Sequence, residues 1–186
     1  MNALVWGHGR VGKHLVLRAR PLFNNVSYIE EANGQRFIDK KLATADVLFL
    51  TMSISGDQPV VGRVQLERLP RSAIVVNVAR GECLDTLALL DLLGEGKLGG
   101  AALDVLPGDH AFPFQRWGTE HYAAVSYAKE HDNLIITPHI AGSTEDAWHE
   151  TQSYVIDKVK EILSVECAAA IRGQGDRKCK AHSFVD

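Results

Sequence analysis

An α/β fold built on one doubly wound parallel sheet is what the sequence predicts, and three observations predict it. Short apolar runs alternate with stretches of helical period along most of the chain. Several of these runs, such as VLFL and IVV, are continuously apolar or β-branched, as strands covered on both faces of a parallel sheet are. A glycine-rich turn, within VWGHGRVGKH, joins the first run to the first helical stretch.

The elements follow in order. Strands are expected at residues 3–6, 26–29, 47–51, 74–78, 101–105 and 134–137, and helices at 11–20, 37–42, 64–69 and 86–93. The last helix is framed by Asp85 as N-cap and by Gly94 and Gly96 as stops. Between residues 107 and 132 lies a connection too long to stay structureless in a compact domain. Its stretch 120–130 is suited to a helix. Its aromatics, Phe112, Phe114, Trp117, Tyr122 and Tyr127, pack either inside the domain or against a partner subunit.

After the final strand a helix begins near Thr144, where Ser143 and Asp146 resemble a capping box. Trp148, Thr151, Val155, Val159 and Ile162 share one face of it and read as core packing. From 164 to 186 the chain turns polar and loses its period. The expected organisation is therefore one domain over 1–163 and a polar tail over 164–186. Repeats and low-complexity tracts are absent from the sequence.

Charge and cysteines exclude several classes of function. A net charge of −3 and a pI near 6.2 give no electrostatic footprint for nucleic acid or an anionic membrane. No apolar run approaches the ~18 residues of a membrane span. The opening MNALVWG lacks the basic segment of a signal peptide and leads directly into a strand. Cys83, Cys167 and Cys179 are odd in number and without metal-ligand spacing, which suits free thiols in a reducing cytoplasm. The histidines likewise show no ligand spacing, so no metal is expected.

The glycine turn has a specific physical use. Gly7, Gly9 and Gly12 form G-x-G-x-x-G after a strand and at the start of a helix. Gly7 allows the tight turn, Gly9 lets backbone approach a pyrophosphate, and Gly12 lets helix and strand pack closely. The helix start supplies amide donors and a positive dipole. Glu30, at the end of the second strand, stands where an acid hydrogen-bonds the adenosine ribose, about 20 residues past the turn. Its charge repels a 2′-phosphate, so NAD is favoured over NADP; the adjacent Glu31 is the alternative. His8, inside the turn, reads as incidental.

Other expected strand ends also carry polar groups. Arg80 follows VVNVA, Asp104 lies within AALDV with Asp109 five residues on, and Pro138 delivers His139 after LIIT. Ligands of open α/β sheets bind outside the carboxyl ends of the strands, so parallel strands would gather these side chains beside the glycine turn.

VVNVARGECLDTLALLDLLGEGKLGGAALDV and NLIITPHIAGST resemble the NAD-binding domain of the D-isomer-specific 2-hydroxyacid dehydrogenases, a Rossmann fold, over residues 1–163. The resemblance implies NAD-dependent interconversion of a 2-hydroxy acid and a 2-keto acid. On it, Arg80 matches the residue that grips the substrate's carboxylate and carbonyl. His139 matches the general acid/base, and Asp109 its carboxylate partner. The cofactor residues implied are Gly7, Gly9, Arg10, Val11, Gly12, Glu30, Val78 and Asp104, the last near the nicotinamide. A homodimer formed by the cofactor domain is implied as well.

The chemistry suits those residue types. Taking hydride from a secondary alcohol requires removing the hydroxyl proton, and imidazole titrates near working pH. A carboxylate behind the ring fixes the tautomer and stabilises imidazolium. Arginine offers a substrate carboxylate a bidentate fork that lysine lacks.

Three departures from the family pattern stand out. The acid partner is usually glutamate, and Asp109 is shorter by one methylene, roughly 1.5 Å. Either the backbone after Leu106 moves in, or Glu120 substitutes, or His139 works unassisted. TMSIS, from Thr51, lacks the histidine and proline often found beside the adenine pocket. Finally, Met1 opens the first strand where family members begin with a substrate-binding domain. With that domain absent the cleft would have one wall, as in a fragment, a truncated product or half of a two-chain enzyme. Two functions are thus expected: a dehydrogenase, or an NAD-binding module without turnover.

Overall fold

A computed structural model describes residues 1–30, 32–53, 60–109 and 118–173, with side chains as far as 163. It contains six parallel strands: β1 (Asn2–Trp6), β2 (Asn25–Ile29), β3 (Val47–Leu50), β4 (Ala73–Asn77), β5 (Leu98–Leu103) and β6 (Leu134–Ile136). They lie in the order β2-β1-β3-β4-β5-β6. The chain steps outward from β1 to β2, then returns past β1 to β3. The order therefore reverses between β1 and β3, the kind of switch point where open α/β sheets bind ligands.

Burial follows strand position. In central β1, Ala3, Leu4, Val5 and Trp6 are all buried, whereas edge strand β2 buries only Ile29. Cover on both faces was expected of several strands and fails towards the β6 edge. Ile74 on β4 is 36% exposed and Ile135 on β6 is 63% exposed, so one side of that end is uncovered among the described residues of the unit. Strand β5 begins at Leu98, ahead of the expected 101, because Gly99 and Gly100 conceal its start. It ends at Leu103, placing Asp104 just past the strand.

The helices are α1 (Arg10–Ala19), α2 (Gln35–Leu42), α3 (Arg63–Arg68), α4 (Thr86–Gly94), α5 (Thr119–Glu130) and α6 (Glu145–Gly173). α1 packs on β1 and β2, and α2 to α5 form a row in which each touches the next. Asp85 caps α4, its side chain accepting from the Ala88 N–H at 2.9 Å. Leu89, Leu90, Leu92 and Leu93 of that helix are buried in the main core with Leu48, Leu50, Val75 and Leu103. α5 gives structure to the long connection after β5. Its Tyr127 packs on the core and stacks on His131 at 3.9 Å between ring centres, while Tyr122 is exposed. Phe112, Phe114 and Trp117 lie outside the described residues.

The chain divides into two compact units, Met1–Ala141 and Gly142–Asp186. In the second, α6 continues past Leu163 to Gly173. Its cap is Thr144 rather than Ser143: the Thr144 hydroxyl accepts from the Ala147 N–H at 3.2 Å. The stripe expected to be core is exposed at Trp148, Thr151, Val155, Val159 and Ile162. Helical period marks an apolar face without supplying its partner, and this unit's described residues hold no second element for it to pack on. Among the described residues no helix is long and apolar enough to cross a membrane.

Candidate functional site

The glycine turn is held by its own backbone. Gly7 adopts φ +105°, and its N–H donates to the Ile29 carbonyl at 3.0 Å. Its own carbonyl accepts from the Thr51 hydroxyl at 2.7 Å. A Cβ on Gly12 would lie 1.9 Å from that same carbonyl, so α1 meets the turn at a separation only glycine permits. Gly9 differs: a Cβ there would meet nothing within 4 Å. It caps α1 and borders two clefts. The first, of about 590 Å³, is lined by Gly7, His8, Glu30, Gln35, Thr51 and Gln65 among others. The second, of about 510 Å³, brings Arg10, Val11, Val78 and Arg80 together. Open backbone at a helix N-terminus between two clefts fits a pyrophosphate with a nucleoside on either side.

Side chains at successive strand ends form a row. From β2 to β6 it runs through Glu30, the glycine turn, Thr51, Arg80, Asp104 and His139, across five strand spacings or about 24 Å. Arg80 is positioned by Asn77, a buried polar residue that ends β4. The Asn77 amide donates to the Arg80 carbonyl at 2.9 Å, and its oxygen accepts from the Ala79 N–H at 3.0 Å. The sequence signal was available: one polar residue closing an otherwise apolar run. The Arg80 guanidinium donates to the Ala79 carbonyl at 2.7 Å and lines the cleft of the glycine turn.

His139 and Asp109 meet in a third cleft of about 550 Å³, which Arg80 does not line. His139 Nδ1 lies 3.0 Å from Asp109 Oδ2; the imidazole is 42% exposed and the carboxylate 13%. His139 has φ +54°, a left-handed conformation uncommon outside glycine. It is held there by its N–H, which donates to the Asp104 carbonyl at 2.8 Å and the Thr137 carbonyl at 3.0 Å. The Asp104 carboxylate completes the turn, accepting from the Thr137 hydroxyl, from the Ile140 N–H at 3.0 Å and from the Ala141 N–H at 2.9 Å. Burial alone would raise the Asp104 pKa. These donors, helped by the nearby His139, outweigh it and hold the carboxyl below its ordinary value. Asp104 thus spends its carboxylate on the histidine turn.

The shorter acid reaches His139 directly, at 3.0 Å, from the turn that follows β5. Residues 106–109 form a tight turn with Gly108 at φ +78°, in which the Asp109 N–H donates to the Leu106 carbonyl at 3.2 Å. The Asp109 carboxylate accepts the Leu106 N–H at 3.1 Å. Glu82 anchors the turn from the other side, accepting from the Gly108 N–H at 2.9 Å. Gly81 lets the two segments touch, since a Cβ there would lie 2.0 Å from the Leu106 carbonyl carbon. Sequence reasoning missed Glu82, for nothing in ARGE announces a partner 26 residues away. It also missed His121, which lines the same cleft from α5. Burial lowers the His121 pKa, with the charge of Asp109 opposing the shift.

The sequence family described as D-isomer specific 2-hydroxyacid dehydrogenase, NAD binding domain, matches residues 1–141. The chain belongs to this family. The D-specific alpha-keto acid dehydrogenase of Enterococcus faecalis is 32% identical over 165 residues, covering 84% of this chain and 50% of that protein. The D-3-phosphoglycerate dehydrogenase of Haemophilus influenzae is 31% identical over 150 residues, covering 76% and 35%. Among solved structures, a D-lactate dehydrogenase from Aquifex aeolicus complexed with NAD and lactic acid superposes with a TM-score of 0.75 at 20% identity. It covers 90% of this chain and 55% of that one, and it supports the fold. The NAD-complexed D-isomer specific 2-hydroxyacid dehydrogenase of Lactobacillus delbrueckii gives 0.70 at 25% identity, covering 94% and 54%. The chain spans about half the length, or less, of the curated relatives it matches. As a member of this family it is an NAD-binding domain of Rossmann type, and the first and second clefts share Gly9, Thr51, Met52 and Ser53 as walls.

Proposed function

We propose that the chain supplies the cofactor half of an NAD-dependent dehydrogenase acting on a 2-hydroxy or 2-keto acid, with His139, Asp109 and Arg80 as its chemical groups. The observation that carries this reading is the 3.0 Å pair between His139 and Asp109 at the carboxyl end of the sheet that also bears the glycine turn. NAD supplies the hydride acceptor, and its reduced form the donor. With Nδ1 engaged by Asp109, Nε2 of His139 is left to take the hydroxyl proton of a 2-hydroxy acid or to return it to a 2-keto acid. Asp109 stabilises the imidazolium that forms, and the left-handed turn fixes where the ring stands. Arg80 follows β4, two strands from the β6 end that bears His139, and from there its fork can receive the substrate carboxylate. Gly7, Gly9, Arg10, Val11 and Gly12 hold the pyrophosphate, Glu30 the adenosine ribose, and Val78 walls the second cleft.

The relatives named for alpha-keto acid and phosphoglycerate dehydrogenation support the substrate class. The test is oxidation of NADH by the 186-residue chain with a panel of 2-keto acids, alongside calorimetric titration with NAD. Turnover lost on His139→Asn supports the reading. NAD binding with no turnover on any 2-keto acid would make this chain a binding module, and no NAD binding would refute both.

A further inference from the structure

His8 occupies the first variable position of the glycine turn, and its ring is committed to two neighbours. It stacks on Tyr28 at 3.6 Å between ring centres, with the planes 8° apart. Stacking fixes the ring plane, and Nδ1 then lies 3.2 Å from Glu30 Oε1. The imidazole is largely covered and the carboxylate half open, and both line the first cleft beside Gly7 and Gly9. The side chain that reads as incidental in the sequence therefore holds the acid assigned to the adenosine ribose.

We propose that His8 is a specificity-determining residue of the dinucleotide site: a switchable counter-charge to Glu30 that sets how strongly the site refuses a 2′-phosphate. This rests on the NAD reading above. With a neutral ring, Nδ1–H donates to Oε1 and the pair carries one negative charge, which repels a 2′-phosphate. With a protonated ring the pair is neutral, and Nε2–H becomes an additional donor that a phosphate oxygen can accept. The 2′-hydroxyl of NAD carries no charge, so its binding responds far less to the change.

Among the described residues lining the first cleft, few other charges face the pair. β2 contributes Tyr28, and Glu30 directly follows it. α2 presents Gln35 and Ile38, the end of β3 presents Thr51, Met52 and Ser53, and α3 presents Gln65. Arg10 lines the neighbouring cleft. Among the described residues lining the first cleft, His8 and Glu30 are the only acidic or basic side chains. Imidazoles as a class take up a proton between about pH 5 and pH 8.

The experiment is calorimetric titration of the 186-residue chain with NAD and with NADP at pH 8 and pH 6, for the unaltered protein and for His8→Gln. Circular dichroism confirms that the variant folds, and His8→Asn serves in its place should His8→Gln not fold. In the unaltered protein the ratio of NADP to NAD dissociation constants should fall from pH 8 to pH 6. Part of that fall belongs to the 2′-phosphate, which itself gains a proton near pH 6. The variant isolates the rest: its fall should be smaller by about three- to tenfold, the worth of one partly exposed charge at about 5 Å. Equal falls in the two proteins would overturn the proposal while leaving NAD binding intact. Failure of the unaltered chain to bind NAD at either pH would overturn the NAD reading and this inference with it.

Discussion

At the β1–β2 end of the sheet, Gly7, His8, Gly9 and Gly12 come from a single run of sequence, and their geometry is mostly backbone. At the β5–β6 end, His139 is held by Asp104 and paired with Asp109, while Asp109 is steadied by Glu82 from the loop after β4. The first end works by omission: glycines leave room for a helix to meet a strand and for a ligand to meet backbone. The second works by commitment, since the Asp104 carboxylate and the His139 N–H are used to hold one residue in an uncommon backbone conformation. A site made by omission should tolerate no added atoms, and a site made by commitment should tolerate no lost partners.

The largest effect should come from the ring itself. His139→Asn should lower turnover by about 10²–10⁴-fold, the usual worth of a general acid–base group, while NAD affinity measured by calorimetry stays within twofold or so. Equal loss at both ends would break the separation drawn between them. Gly12→Ala is the reverse experiment. Its Cβ falls 1.9 Å from the Gly7 carbonyl, so α1 must shift; about 1–3 kcal/mol of stability should be lost in denaturant titration, along with NAD binding. Retained NAD binding would show that the close approach is not what forms the turn.

Asp104 sharpens the contrast through pH. Its carboxyl is held below the ordinary 3.8, so its stabilising bonds are fully present above that value and are lost as pH falls through the lower folded one. Acid unfolding should therefore include the release of the His139 turn. Asp104→Asn, which puts an amide where two backbone N–H groups donate, should cost about 1.5–3 kcal/mol at neutral pH and remove that part of the acid transition. An acid unfolding curve unchanged by Asp104→Asn would refute the assignment. The smallest effect is expected at Glu82. Glu82→Ala frees the Gly108 N–H and should cost about 1 kcal/mol in thermal denaturation, with Glu82→Gln recovering most of it by keeping an acceptor. A Glu82→Ala variant as stable as its parent would leave the Asp109 turn without this anchor.

The family resemblance pointed to Glu30, Arg80, Asp109 and His139 as site candidates, and the sequence by itself determined the parallel α/β sheet, the glycine turn and the Asp85 cap. Each has a signature within a few residues of itself: apolar runs of strand length, glycines at fixed offsets, a proline before a histidine. Tertiary structure alone decided which groups touch. The strand order brings β4, β5 and β6 side by side, and only then does Glu82 reach Gly108 or Asp104 reach the turn after β6. It also decided that His8 faces Glu30, because the β1–β2 pairing sets Tyr28 beside the turn. The apolar stripe of α6 shows the same division from the other side. Period told which residues share a face, but cover depends on a second surface, and helical spacing carries no information about that surface.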